Sequence, residues 1–158
     1  MARQKQALEN PLILQKIYNY CSYQERSIRE VENKLKSLTL QKKLIPEMIN
    51  RLQKEGYLNE GRFAKAYASG KFRQNKWGRQ KIEFELKIRG IPELMILEGL
   101  SVIDEEEYRK VLKNLIVRKY NEIKSGENEN IWEKIINFAY GKGYESELIL
   151  SILKELKI

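Results

Sequence analysis

The amino-acid sequence predicts an all-α protein of tandem three-helix units: three repeats, about nine helices, stacked into an elongated, curved array. Apolar residues recur at the three- and four-residue spacing of a helix face along nearly the whole chain. No segment shows the polar and apolar alternation that is typical of a half-buried strand. Several segments also match later segments in the same order, which indicates an internal repeat.

The internal repeat rests on three pairs of matching segments. These are SIREVENKL (27–35) with GRQKIEFEL (78–86), IPEM (45–48) with IPEL (91–94), and YLNEGRF (57–63) with VIDEEEY (102–108). A fainter third copy sets GYESELI (143–149) against GIPELMI (90–96). The pairs are separated by unequal distances, so we place the insertions in loops. We predict an N-terminal arm at 1–10 and three-helix repeats at 11–58, 59–103 and 104–158.

The first repeat is predicted to hold helices near 11–24, 27–38 and 44–55. Ser27 followed by Glu30 is a capping box that opens the second of these helices. Pro46 suits the first turn of the third helix, and Gly56 suits its end.

The second repeat is predicted to hold helices near 59–73, 78–89 and 92–100, and the third near 104–123, 131–141 and 145–156. Gly90 and Gly143 stand where helices should end, and Pro92 stands where one should begin. Asp104 followed by Glu107 is a second capping box, so we interpret the run of acids at 105–107 as stabilising a helix N-terminus.

Each unit is too small to bury a sufficient interior alone. We therefore expect the units to stack and share one core, giving an extended rod that binds along a surface. The alternative is a compact nine-helix bundle, because sequence periodicity does not determine how the units pack.

The composition excludes most enzyme chemistry. The chain has no histidine, one aspartate (Asp104) and one cysteine (Cys21), which removes His-based acid–base catalysis, Ser-His-Asp triads and Cys/His zinc sites. One cysteine cannot form an intrachain disulfide, and the sequence lacks both a bilayer-spanning apolar run and the apolar core of a signal peptide. We therefore expect a cytoplasmic protein with no enzymatic activity, no cofactor, no metal ion and no membrane partner.

The positive charge is concentrated in the first two thirds of the chain. Residues 1–58 carry 11 Lys and Arg against 6 acids, and 59–103 carry 9 against 5, whereas 104–158 carry 10 against 11. Between Arg62 and Lys81 there are seven cations and no acid. This local excess predicts a basic patch suited to phosphates or to an acidic protein groove.

The helix beginning near Asn59 is predicted to separate this patch from the core. The three- and four-residue spacing puts Arg62, Lys65, Ser69, Phe72, Arg73 and Lys76 on one stripe and Phe63, Ala66, Tyr67 and Gly70 on the core-facing stripe. The candidate binding residues are Arg62, Lys65, Lys71, Arg73, Lys76, Trp77, Arg79, Lys81 and Arg89.

Two interpretations of the patch stay open. Its cations could be a solvated helix face, and Trp77 could anchor two helices instead of stacking on a base. Trp132, in the matching helix of the third repeat, favours a packing role for both tryptophans.

The second repeat also carries a family resemblance. GYLNEGRFAKAYASGKFR (56–73) running into WGRQKIEFELKIRGIP (77–92) resembles the RecX family of bacterial modulators of the RecA recombinase. The resemblance extends from about Leu12 onward, and its specific elements are Gly56-Tyr57-Leu58, Asn59, Arg62-Phe63, Gly78, Ile82, Glu85-Leu86 and Gly90-Ile91. The third repeat departs from the pattern, since IWEKIINFAYGKG is only a weak copy and the unit is slightly negative.

The resemblance implies a regulatory protein that lies in the groove of the RecA–single-stranded DNA filament, bridges neighbouring subunits, and restrains ATP hydrolysis, strand exchange and co-protease activity. It would thereby regulate recombination, DNA repair and the SOS response. The expected partners are the RecA filament and single-stranded DNA, free or within the filament, and the chain itself is expected to be a monomer. The alternatives are a general single-stranded nucleic-acid-binding protein and a helical-repeat adaptor for an unrelated protein.

Overall fold

The structure is a computed structural model that describes residues 7–124, 126 and 129–157. After a helical turn at residues 7 and 8, nine α-helices and one short 3₁₀ helix, but no strand, follow along these described residues. The helices are α1 (Pro11–Tyr23), α2 (Ile28–Ser37), α3 (Ile45–Lys54), α4 (Glu60–Asn75), α5 (Arg79–Ile88), α6 (Glu93–Leu100), α7 (Glu105–Ile123), α8 (Ile131–Gly141) and α9 (Ser146–Leu156), with the 3₁₀ helix at Lys42–Leu44. The prediction of an all-α chain of tandem three-helix units is confirmed. Residues 1–6 of the predicted N-terminal arm lie outside the described part of the chain.

Local sequence signals determine where the helices begin. The Ser27 hydroxyl accepts the N–H of Glu30 at the start of α2, and the Asp104 carboxylate accepts the N–H of Glu107 at the start of α7. Both predicted capping boxes therefore form their first hydrogen bond. Asn59 caps α4 in the same way, by accepting the N–H of Arg62.

The apolar interior is divided into two cores. The first unit encloses its own core, which includes Val31 and Met48, whereas the second and third units share one continuous core that includes Leu86, Ile116 and Ile149. The expectation of a single core shared by all units is therefore wrong at the junction between the first two.

Polar side chains occupy that first junction, which explains the division of the core. The buried carboxylate of Glu60 accepts the N–H of Ile28 at 3.1 Å, and Arg62 pairs with Glu25 at 2.9 Å. Burial, opposed by the bond from Ile28, raises the pKa of the Glu60 carboxyl.

The middle helices of successive units meet end to end. The N–H of Gly78, which precedes α5, donates to the carbonyl of Lys142 just after α8, at 2.8 Å. At the other end of α5, Arg29 in the first turn of α2 donates to the carbonyl of Ile88. The helices α8, α5 and α2 thus form a spine in which backbone groups at one helix end are satisfied by the next unit.

The exposed surface agrees with an elongated array. The chain exposes 10247 Å², whereas a compact monomer of its 18.8 kDa mass exposes about 8,300 Å². None of the described helices combines the length and the apolar character needed to cross a bilayer.

Candidate functional site

The basic patch of the second unit divides into two groups of side chains around α4. Lys71 and Arg73 are two positions apart, which at about 100° per residue places them on opposite sides of the helix. Lys71 lies over the Trp77 ring, which also contacts Lys81 of α5, whereas Arg73 is exposed. We name the groups the cation–aromatic ladder (Arg89, Tyr67, Lys71, Trp77 and Lys81) and the outer row (Arg62, Lys65, Arg73 and Lys76).

The predicted core stripe of α4 is wrong in part. Phe72 was expected among the cations but is 3% exposed in the core, beside Ala64 and Ala68. Ala66, expected in the core, is exposed. Alanines occur at 64, 66 and 68, so the spacing of apolar residues alone does not distinguish the two faces of α4. The bulky Phe72 ring lies on the buried face.

The cation–aromatic ladder alternates cations and rings between α4 and α5. The guanidinium of Arg89 lies 4.8 Å from the centre of the Tyr67 ring, and the Lys71 ammonium lies 5.5 Å from the same ring. The Trp77 ring has Lys71 at 4.9 Å and Lys81 at 4.5 Å. These distances are those of cation–π contacts, which orient long side chains while leaving their N–H groups available to an anion.

The two rings of the ladder also pack against the shared core. Trp77 is half-buried, and Lys71 and Lys81 both lie over its ring. Its anchoring role is therefore structural, and its direct contact with a ligand stays a prediction. Burial raises the pKa of Tyr67, whose hydroxyl is the one buried side-chain polar atom in the described residues without a hydrogen-bond partner.

The outer row contains two paired and two unpaired cations. Arg62 is held by Glu25, and Lys65 lies 3.5 Å from Glu98. Arg73 and Lys76 are exposed and have no carboxylate partner among the described residues. The Lys76 ammonium donates only to the backbone carbonyl of Arg73, at 3.1 Å.

Arg79 differs most from its sequence prediction as a solvent-facing binding residue. Its side chain is 25% exposed and pairs with Glu105 at 2.6 Å and with Glu145 at 3.0 Å. Its guanidinium also lies 4.0 Å from the centre of the buried Tyr108 ring. Arg79 therefore joins the start of α5 to the third unit.

The surroundings of Arg79 form a connected polar network. The Tyr108 hydroxyl accepts the N–H of Arg79 at 3.0 Å and donates to the Glu145 carboxylate. Hydrogen bonds from Arg79 lower the pKa of Glu105, and burial together with the bond to Glu145 raises the pKa of Tyr108. At neutral pH these shifts keep the Glu105 carboxyl ionised and the Tyr108 hydroxyl protonated, which are the states that form the hydrogen bonds of the network.

The sequence prediction missed a cleft where α4 ends beside α7. Lys76, Val111, Asn114, Leu115 and Arg118 line this cleft, which has a volume of about 180 Å³. Arg118 is exposed and has no carboxylate partner among the residues described. Because the third repeat is slightly negative overall, its net charge did not indicate that Arg118 adds a cation beside the end of α4.

The candidate surface holds no recognisable metal site. In the described part of the chain, no group of three or more Asp, Glu, Cys or His side chains could hold a metal ion. The acids at 105–107 stand in the first turn of α7, and Glu105 is engaged by Arg79.

Known proteins match both the sequence and the fold. Residues 59–100 match the family model of the second three-helix domain of RecX. The regulatory protein RecX of Clostridium beijerinckii is 31% identical over 130 residues, which cover 81% of this chain and 60% of that protein. Residues 59–100 therefore form a RecX second three-helix domain, and the chain is similar to RecX proteins over most of its length.

Further relatives support the same assignment. The regulatory protein RecX of Bacillus pumilus is 31% identical over 144 residues, covering 89% of this chain and 54% of that protein. The crystal structure of RecX from Lactobacillus salivarius superposes with a TM-score of 0.83 at 25% identity, over 99% of both chains. The chain spans about 60% of the length of the clostridial relatives that it matches.

Proposed function

We propose that this chain binds in the groove of the RecA–single-stranded DNA filament and modulates, mainly by inhibition, the ATPase, strand-exchange and co-protease activities of RecA. Recombination, DNA repair and the SOS response would then be its targets. The action is mechanical: an elongated helical array lies across neighbouring RecA subunits and restrains them, without catalysing a reaction. We further propose that it acts in the cytoplasm as a monomer.

The observation that carries this proposal is the group of available cations in the second unit, the segment that also matches the RecX family model. Lys71 and Lys81 are oriented over aromatic rings, and Arg73 and Lys76 are exposed without a carboxylate partner in the described chain. A RecA filament assembled on single-stranded DNA would present both phosphates and acidic side chains to such a surface. Electrostatic attraction of this kind raises the rate of association and weakens with salt.

An ATPase assay of RecA on single-stranded DNA tests this function. We expect inhibition at less than one copy of this chain per RecA subunit, because one bound rod restrains several subunits. Inhibition that required enough protein to coat the DNA would contradict the filament mechanism.

The same cations favour a second candidate function, general binding of single-stranded nucleic acid. That protein would compete with RecA only for free DNA, so adding it to a preformed filament would have little effect. Inhibition of preformed filaments therefore distinguishes the two functions.

A further inference from the structure

We propose that the cleft between the end of α4 and the middle of α7 binds a backbone phosphate of single-stranded DNA, with the adjoining base against its apolar floor. The third unit, whose overall charge is slightly negative, would then contribute directly to the nucleic-acid surface. This inference rests on the proposed function and assigns part of its DNA contact to named residues outside the basic second unit.

The lining of the cleft suits a nucleotide. Val111 and Leu115 are half-buried and packed against the shared core, so they provide a fixed apolar floor. Lys76 and Arg118 place a cation on each of the two helices, and Asn114 adds an amide that can donate to and accept from a base edge. Single-stranded nucleic acid is bound by cations that contact its phosphates and by a surface, usually aromatic, against which its bases lie. In this cleft the aliphatic floor takes the second role.

A longer and shallower cleft continues from this one along α7. It has a volume of about 460 Å³ and shares Asn114 and Arg118 with the first. Its acidic residue, Glu122, lies 3.6 Å from Lys119, so its charge is balanced. The strand can therefore extend along α7 beyond the first nucleotide.

The backbone at Lys76 is held in place by the third unit. Lys76 ends α4 in the left-handed conformation, with φ of 59°, where glycine is favoured because it has no Cβ. The buried Tyr144 of the third unit donates its hydroxyl to the Lys76 carbonyl at 2.8 Å and holds this conformation. This bond fixes the position of the Lys76 backbone beside α7.

Lys76→Gly tests the contribution of the ammonium without disturbing this helix end. It removes the ammonium and relieves the backbone, so we expect a melting temperature equal to or above that of the wild type. Lys157→Gly is the matched control, because Lys157 also ends a helix in the left-handed conformation, with φ of 55°, and carries the same charge. Arg118→Gln removes the second cation from an exposed position.

The experiment measures binding of a fluorescein-labelled oligothymidylate by anisotropy over a range of salt concentrations. A phosphate contact with single strands contributes a slope of about −0.7 in log K against log salt, which is about 5-fold in affinity near 0.1 M salt. We expect Lys76→Gly and Arg118→Gln each to weaken binding by about 5-fold and the double variant by about 25-fold, with a slope shallower by about 1.4. Lys157→Gly should bind as the wild type does.

Several results would overturn the cleft assignment. It fails if Lys76→Gly weakens binding no more than Lys157→Gly, or if the wild-type chain does not bind the oligothymidylate at low salt. It also fails if the cleft variants bind the oligothymidylate normally but no longer inhibit RecA, since the cleft would then contact an acidic surface of RecA itself. If instead the variants lose DNA binding as expected while the wild type does not inhibit RecA, the cleft assignment stands and the proposed function is wrong.

Discussion

Replacing Arg79 by glutamine should destabilise the junction of the second and third units. The substitution removes the bonds to Glu105 and Glu145 and the contact with the Tyr108 ring, and it leaves Glu145 a third exposed without its cation. Hydrogen bonds to charged groups contribute about 1.5–3 kcal/mol each when partly buried. The ion pair with Glu105 contributes less to the free energy of unfolding, because the Glu105 side chain is 69% exposed and screened by solvent.

The combined loss is therefore about 2 kcal/mol in the free energy of unfolding. For a chain of this length, 1 kcal/mol corresponds to about 2–4 °C in melting temperature, so Arg79→Gln should melt about 4–8 °C below the wild type. Circular dichroism measures this directly. The matched control is Arg73→Gln, an exposed substitution on the preceding helix that should cost under about 0.5 kcal/mol. If the two variants melted at the same temperature, Arg79 would not be the structural joint that its contacts indicate.

Three further predictions concern the other junction groups and the charge. Gly78→Ala should lower the melting temperature and loosen the third unit, because a Cβ atom at Gly78 would overlap the backbone of Gly143. Hydrogen exchange of the α8 amides measures the loosening, and unchanged protection of those amides would contradict the prediction. The pKa of Glu60 is raised in the folded protein, so ionising its carboxyl costs stability. The free energy of unfolding should therefore fall as the pH rises from 4.5, the ordinary pKa of a glutamate, through the raised pKa of the folded state. Glu60→Gln can still accept the Ile28 N–H and should remove this part of the pH dependence; denaturant titrations that showed the same dependence in both proteins would refute the assignment. Binding of bare single-stranded DNA through four to six cations should show a slope of roughly −3 to −4 in log K against log salt, and an affinity insensitive to salt would refute the electrostatic contact.

The sequence predicted the helices because their signals are local. Ser27 and Asp104 cap their helices through residues three positions away, and Gly90 ends α5 with a positive φ, so each signal is contained within one turn. The repeat also related one unit to the next, since Asn59 and Asp104 cap the first helices of the second and third units at equivalent positions.

The sequence could not predict how the cations are divided between structure and binding. Arg79 is 26 residues from Glu105 and 66 from Glu145, and only the packing of three helices brings these groups together. The Lys76–Arg118 cleft is hidden for the same reason, because it joins helices from two units. Four of the eight predicted cations, Arg62, Lys65, Arg79 and Arg89, are paired with carboxylates, which leaves Lys71, Arg73, Lys76 and Lys81 to carry the proposed contact.

The central claim is that cations at defined positions, rather than net charge, carry inhibition of RecA. The most direct measurement is the RecA ATPase rate on single-stranded DNA with Arg73→Glu plus Lys76→Glu, compared with Lys154→Glu plus Lys157→Glu. All four side chains are exposed, both variants change the net charge equally, and each includes one left-handed helix end. We predict that the first variant loses inhibition and that the second inhibits as the wild type does. Equal loss in both would show that net charge is responsible, and normal inhibition by the first would contradict the location of the site.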